Sequence, residues 1–271
     1  MVKYVKLKGG KTMKSFGPKK RTAHGKRVTL PKLIKSIAKG QALSLLETKF
    51  VCDRNDANFN SKISTGFTEM YSLIPKVAEG LENWQRENDD LQPTNIRTNW
   101  HIALGTANRS MNIRVVLYCL QHKSIKHYPD LAAVTSLKFL KTGNGSGTPP
   151  GIQEFNGFIG DEDLPINKEE YTLLKKFTFN LMSNVGAPNG DTTDGNSPNT
   201  LPSYKNLSYT YPCKRQLRYT PDGPGAGAAV YPNGHAPFWV LGYSHTDGTP
   251  ADTLFQDVRV TSITQMTYKD A

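Results

Sequence analysis

Only three cysteines occur in 271 residues, Cys52, Cys119 and Cys213, and none belongs to a Cys-x-x-Cys spacing. An odd, widely spaced set offers neither a disulfide framework nor a structural zinc site, and it fits a reducing compartment. No apolar run approaches the ~18 residues of a membrane span, and no leader-like apolar stretch stands near the N-terminus, so a soluble intracellular chain is expected. The most informative absence is of negative charge: no Asp or Glu precedes Glu47.

Lysine and arginine fill that acid-free stretch. Lys3, Lys6, Lys8, Lys11, Lys14, Lys19, Lys20, Arg21, Lys26, Arg27, Lys32, Lys35 and Lys39 put 13 of the chain's 34 cationic residues into its first forty positions. The remaining 21 face all 23 acidic residues, so the net charge of +11 belongs to the N-terminal segment and the rest is near neutral. Residues 1–28 carry too few apolar side chains to offset the entropy of ordering and are expected to form a flexible arm. From Thr29, Leu30, Leu33, Ile34, Ile37 and Ala38 recur at helical spacing, with Pro31 in the first turn and Gly40 at the end, which predicts a short basic amphipathic helix. Packing against protein suits that helix better than membrane contact, since it lacks Trp and Phe. The division expected is therefore an arm over 1–40 and a folded body over 41–271.

Within the body the dominant period is two. Ile96, Thr98, Trp100, Ile102 and Leu104 fall on one face of Asn95–Leu104, and Arg97, Asn99 and His101 on the other. Ile113–Leu120 is apolar on both faces and is expected to be a central strand. Further strands are predicted at Leu45–Cys52, Phe67–Ile74, Leu173–Leu181, Cys213–Tyr219, Phe238–Ser244 and Val258–Tyr268, with short helices near Lys76–Glu87 and Tyr128–Ser136. Long Gly-, Pro-, Ser- and Asn-rich connections at Gly143–Gly151, Ala187–Pro202 and Pro221–His235 separate them. Many strands joined by such loops read as an all-β antiparallel sandwich or jelly roll.

Catalytic and metal signatures are weak. Of His24, His101, His122, His127, His235 and His245, only His122 and His127 lie close together, and no carboxylate or cysteine accompanies them at ligand spacing, so no metal and no cofactor is expected. Gly143-Asn144-Gly145-Ser146-Gly147 lacks the Lys-Ser/Thr of a phosphate loop, and Asp191-Thr192-Thr193-Asp194-Gly195-Asn196 reads as a polar turn before it reads as a calcium loop. The Asn108-Arg109-Ser110 and Asn206-Leu207-Ser208 acceptor patterns have no secretory route behind them. With no nucleophile elbow and no placed cysteine partner, no catalytic residue is assigned and an enzyme is not expected.

The order of features resembles the capsid proteins of circular, replication-initiator-encoding single-stranded DNA viruses, the circovirus-like group. The basic arm runs into Glu47-Thr48-Lys49-Phe50, similar to that family's first body strand. Leu73-Ile74-Pro75 followed by Gly80 and Arg86 resembles its "IP…G…R" stretch, and Asn112-Ile113-Arg114-Val115-Val116 its central strand. Tyr171-Thr172-Leu173-Leu174-Lys175-Lys176-Phe177 and Lys214-Arg215-Gln216-Leu217-Arg218-Tyr219 resemble two later strands, and Tyr268-Lys269-Asp270 its closing segment. Asn88 and Lys175 depart from the family's Gly and Asp, and the arm is richer in Lys than in Arg.

The resemblance implies an eight-stranded jelly roll, a small T=1 icosahedral shell of about 60 identical copies, a packaged circular single-stranded DNA, and passage through the host nucleus before residence in the virion. The thirteen arm cations would then be the nucleic-acid-binding residues. Lys19, Lys20, Arg21, Lys26 and Arg27 have the composition of a nuclear localisation segment read by import machinery. A cell-surface receptor is implied but not specified. Two other functions are compatible with the residues: a small nucleic-acid-binding module that uses the arm without forming a shell, and a carbohydrate-binding β-sandwich using Trp84, Trp100 and Trp239.

Overall fold

The computed structural model describes residues 46–63, 70–82, 84–104, 112–134, 136–142, 151–182, 204–220, 230–248 and 258–270, together with the backbone of two short N-terminal strands. The chain divides into two compact units, Met1–Leu46 and Glu47–Ala271. The second begins at the first acidic residue of the sequence.

In the N-terminal unit, β1 (Tyr4–Lys6) pairs antiparallel with β2 (Thr12–Lys14), Val5 opposite Met13. This corrects the expectation of an arm without ordered structure at those six residues. Tyr4, Val5, Thr12 and Met13 suit strands, and Gly9-Gly10 between them is a hairpin-turn sequence. The amphipathic helix predicted at Leu30–Ala38 lies outside the described residues.

The body is built from β3 (Thr48–Phe59), β4 (Met70–Ser72), β5 (Asp90–Leu104), β6 (Asn112–His122), α1 (Tyr128–Ala132), β7 (Leu140–Lys141), β8 (Ile152–Gln153), a 3-10 turn at Ile159–Asp163, β9 (Tyr171–Met182), β10 (Tyr204–Tyr211), β11 (Leu217–Arg218), β12 (Pro237–His245) and β13 (Val258–Asp270). Two antiparallel sheets dominate. Sheet one has the order β10-β5-β13-β3, with β11 added beside the start of β5; sheet two has the order β4-β12-β6-β9. Pairing is nested: β3 with β13, β4 with β12, β5 with β10 and β6 with β9. That is a long hairpin rolled upon itself, and the fold is all-β and jelly-roll-like. With β11, sheet one has five strands and sheet two has four, and the small β7–β8 ladder stands apart from both.

The sheets face each other through Phe59, Trp100, Ile102 and Leu104 from sheet one and Ile113, Val115, Leu117, Trp239, Leu241 and Tyr243 from sheet two. Trp100 and Trp239 meet edge to face across the layer, ring centroids 5.9 Å apart. The period-two reading of Asn95–Leu104 is reproduced: Ile96, Thr98, Trp100, Ile102 and Leu104 are all buried. β6 is central, between β12 and β9, and buries both faces as its sequence predicts. Its second face, with Val116, Tyr118 and Leu120, packs under Leu131, Leu137, Phe139, Phe155 and Ile166 from the connecting segments. Each such fully buried side chain contributes about 1.5–3 kcal/mol.

Several strand limits differ from expectation. β3 extends through Asp53–Asp56, polar residues tolerated because β3 is an edge strand with alternate positions exposed. Tyr204–Tyr211 forms a strand that its sequence does not predict, whereas Cys213–Tyr219 contains only the two-residue β11. The helix expected near Lys76–Glu87 is absent. Its backbone bonds elsewhere, Val77 N–H to Val230 O at 3.0 Å and Gly80 N–H to Arg86 O at 2.9 Å, and the residues form a loop. The second expected helix, Tyr128–Ser136, shortens to α1. Where β13 crosses Pro93, which has no N–H to give, the register shifts and Thr94 Oγ1 donates to Thr267 O at 2.9 Å.

Candidate functional site

Four of the segments that carry the family resemblance converge at one end of the body. Lys49 at the start of β3 is buried, with Nζ 2.5 Å from Glu87 Oε1 and 3.5 Å from Asp270 Oδ2. Asp270 also accepts the backbone N–H groups of Glu87 (2.6 Å) and Asn88 (3.2 Å). Burial works to lower the Lys49 ammonium's pKa, but Glu87 and Asp270 outweigh it and hold the group above its usual value. Beside it, Arg86 is wholly buried: NH1 donates to Asp89 at 3.0 Å, NH2 reaches Glu79 at 3.2 Å and donates to Thr220 O at 3.2 Å, and the guanidinium lies over the Tyr219 ring. Gly80 makes room for the Gln85 amide, which a Cβ would meet at 1.9 Å. This clamp ties the loop between β4 and β5 to both ends of the body chain. Lys49, Arg86 and Asp270 are buried and paired, while Glu79, Glu87 and Asp89 stay partly exposed, so these charges fix the position of the loop.

Of the thirteen predicted nucleic-acid-binding residues, Lys6 and Lys14 fall in β1 and β2. Lys3, Lys8, Lys11, Lys19, Lys20, Arg21, Lys26, Arg27, Lys32, Lys35 and Lys39, including the whole localisation segment, lie outside the described residues, as do the Gly143–Gly147 and Asp191–Asn196 loops. Among the described residues no group of His, Cys, Asp or Glu could hold a metal. His122 Nδ1 accepts the N–H groups of Ser124 (3.1 Å) and Ile125 (2.8 Å), closing the turn after β6, and His127 pairs with Asp130. Cys119 is buried, its thiol pushed up by burial, while Cys52 is exposed; all three cysteines are free. Trp100 and Trp239 are core residues, which leaves Trp84 as the one exposed tryptophan.

A second cationic surface is not assigned by the sequence. Among the described residues nothing covers the outer face of sheet one. Its rows run Asn206–His101–Thr261 and Ser208–Asn99–Ile263 across β10, β5 and β13, with Arg97 and Arg259 exposed above and below. From Asn95 to Ala103, along β10 and from Arg259 to Thr267, no outward position is acidic, while Asp56 on neighbouring β3 faces the same way and accepts from Thr261 Oγ1 at 2.5 Å. The face is organised: Arg97 Nε donates to Ser208 Oγ (2.9 Å) and Asn99 Oδ1 (3.1 Å), His101 Nδ1 lies 2.7 Å from Asn206 Oδ1, and the His101 ring stands over exposed Tyr204 at 5.2 Å. A shallow groove of about 340 Å³ runs over Arg97, Asn99, His101, Asn206, Ser208 and Thr261. Such a face offers cations for phosphates, amides and hydroxyls for sugar and base edges, and a ring for stacking. The alternation of β5 places Arg97, Asn99 and His101 together in the sequence; β10, the strand that completes the face, carries no such signal.

No protein-family model matches this chain, and no curated protein sequence matches it significantly.

Proposed function

We propose that this protein is a viral capsid protein: the jelly-roll-like body tiles with copies of itself into a small closed shell, and the N-terminal arm holds a single-stranded DNA genome inside. The observation that carries this reading is the segregation of charge. Thirteen cations and no acid precede Glu47, and the residues after it make a near-neutral sandwich. Shell-building needs a body that does not repel its copies, and packaging needs an arm that neutralises phosphates without reading sequence. Lysine suits the second task as a flexible point charge. The outward face of β10, β5 and β13 supports the same reading, since it offers the strand Arg97 and Arg259 among amides and hydroxyls. The role is structural, with no catalytic step. Arm residues Lys19, Lys20, Arg21, Lys26 and Arg27 would also take the protein into the host nucleus for assembly, before it resides in the virion.

Electron microscopy of the purified full chain is the direct test: uniform closed particles are expected, and monomers persisting across salt and pH would overturn the proposal. Deleting residues 1–40 should abolish nucleic-acid retention while leaving the body folded. Retention by the full chain should weaken with a log–log salt slope of about −0.7 for each phosphate engaged. A small module binding nucleic acid as a discrete complex is the alternative favoured if nucleic acid is bound but no shell forms.

A further inference from the structure

On the opposite side of the body from the interface between the sheets, the outer face of sheet two carries an open cleft of about 600 Å³. That is within the usual range for small-molecule sites, ~300–1,000 Å³. The 3-10 turn Ile159–Asp163, β9 and the segment after β6 meet there. The turn is held by Asp161, a buried carboxylate that accepts the Asn156 N–H at 2.7 Å and the Gln153 amide at 3.1 Å. Leu164, Pro165, Ile166 and Leu173 make the walls apolar.

The polar groups lining it are incompletely used. Tyr118 and Glu162 are 1% and 4% exposed, yet Tyr118 Oη and Glu162 Oε2 have no hydrogen-bond partner. The other Glu162 oxygen lies 2.5 Å from Arg114 Nε, which holds the side chain in place. Burial, and next the Glu162 charge, push the Tyr118 phenol upward, so it stays a donor. Two ammonium groups are pinned at the rim by neutral oxygens: Lys123 Nζ donates to the Lys168 carbonyl and Lys176 Nζ to the Glu162 carbonyl. A main-chain carbonyl positions a lysine without cancelling its charge, and Lys168 adds a third cation to a lining whose acids are Glu162 and exposed Asp163. A buried hydroxyl and a buried carboxylate oxygen left unmatched are costly to the free protein, so a ligand that satisfies both is favoured.

We infer that this cleft binds a small hydroxylated anion, the chemistry of a sugar acid or a sugar phosphate. The anionic group sits against Lys123 and Lys176, and a neighbouring hydroxyl, uncovering the two oxygens that the free protein keeps sealed, accepts from Tyr118 and donates to Glu162 Oε2. A hydroxyl is the one common group that does both at once. Inorganic phosphate has its only O–H on the anionic group itself and no second hydroxyl beside it, and a neutral sugar lacks the charge.

The test is calorimetric titration of the full chain at physiological ionic strength with D-glucuronate, glucose 6-phosphate, inorganic phosphate and glucose. Saturable binding of one or both hydroxylated anions is expected, at least about tenfold tighter than either control, and whichever binds more tightly identifies the anionic group the cleft prefers. Lys176→Met keeps the stem and removes the charge; it should weaken binding about tenfold. Tyr118→Phe should weaken it similarly without lowering the melting temperature, because the hydroxyl it removes has no partner in the free protein. Four results overturn the inference: no saturation below about 10 mM, equal binding of inorganic phosphate, equal binding of glucose, or affinity unchanged in both variants. The last would assign the binding to the arm. None of these bears on shell formation, which microscopy reads independently.

Discussion

Sheets one and two share a core but meet the outside differently. Sheet one buries alternate residues and leaves Arg97, His101, Arg259 and their polar neighbours in solvent. In sheet two, all nine residues of β12 and the middle of β6 are buried, because α1, the 3-10 turn and the β7–β8 segment lie over its outer face. Antiparallel sheets are free to keep one face wet, so the covering of sheet two is the feature that needs explanation. Its sequence supplies the cause: Pro237–His245 and Ile113–Leu120 have apolar residues on both faces and would expose large apolar patches if left bare. Among the described residues one sheet is thus packed twice, and the other is packed on one face alone.

That contrast predicts an order of sensitivities. Phe155→Ala, removing a ring that roofs sheet two, should cost about 3–5 kcal/mol in denaturant unfolding; a cost below about 1 kcal/mol would mean the roof is not packed. Gly242→Ala places a Cβ 2.6 Å from the Phe155 ring and 3.1 Å from Ile63, and should cost about 1–3 kcal/mol. Combining it with Phe155→Leu should recover part of that loss, a coupling read from the double-mutant cycle.

A smaller effect joins the two sheets. His235 contacts Tyr211 of sheet one through Nε2 and Gln121 of sheet two through Nδ1. Burial, with Arg215 and Lys126 adding to it, lowers its pKa from 6.5 to about 4. The folded state therefore favours neutral imidazole. The resulting stabilisation is complete above pH 6.5 and is lost as pH falls from 6.5 towards 4. His235→Gln should flatten the decline of melting temperature in that window, and an unchanged slope would remove His235 as a cause. The smallest effect belongs to the bare face: Arg97→Thr should alter stability by no more than about 0.5 kcal/mol. A large loss there would end the distinction between the sheets.

Much of this architecture is legible because the code for a strand is local. β5 and β13 read correctly from alternation, and β6 from apolarity on both faces, since hydrophobic residues at period two have few other uses. The polar half of β3 and all of β10 are not legible. Both are edge strands, and Asp53–Asp56 or Asn206–Ser208 carry no burial signal because half their surroundings are water. The Lys76–Glu87 loop reads as a helix in sequence because its true shape depends on Arg86 finding Glu79, Asp89 and Thr220, the last from far along the chain. The arm's charge is plain from composition. The cleft under Glu162 is invisible there, since Tyr118, Lys123 and Lys176 are ordinary residues until folding brings them to one place.

The position of β13 sets a condition on how the body is made. Tyr268 lies opposite Lys49 on one side and Pro93 on the other, so the strand that ends at Asp270 fills the gap between β3 and β5. Until β13 has left the ribosome, half of sheet one has no middle and Trp100 no finished wall. Contacts this distant in sequence form slowly. A nascent chain can therefore offer its basic segment to a polyanion before it can offer a completed surface to a sister molecule.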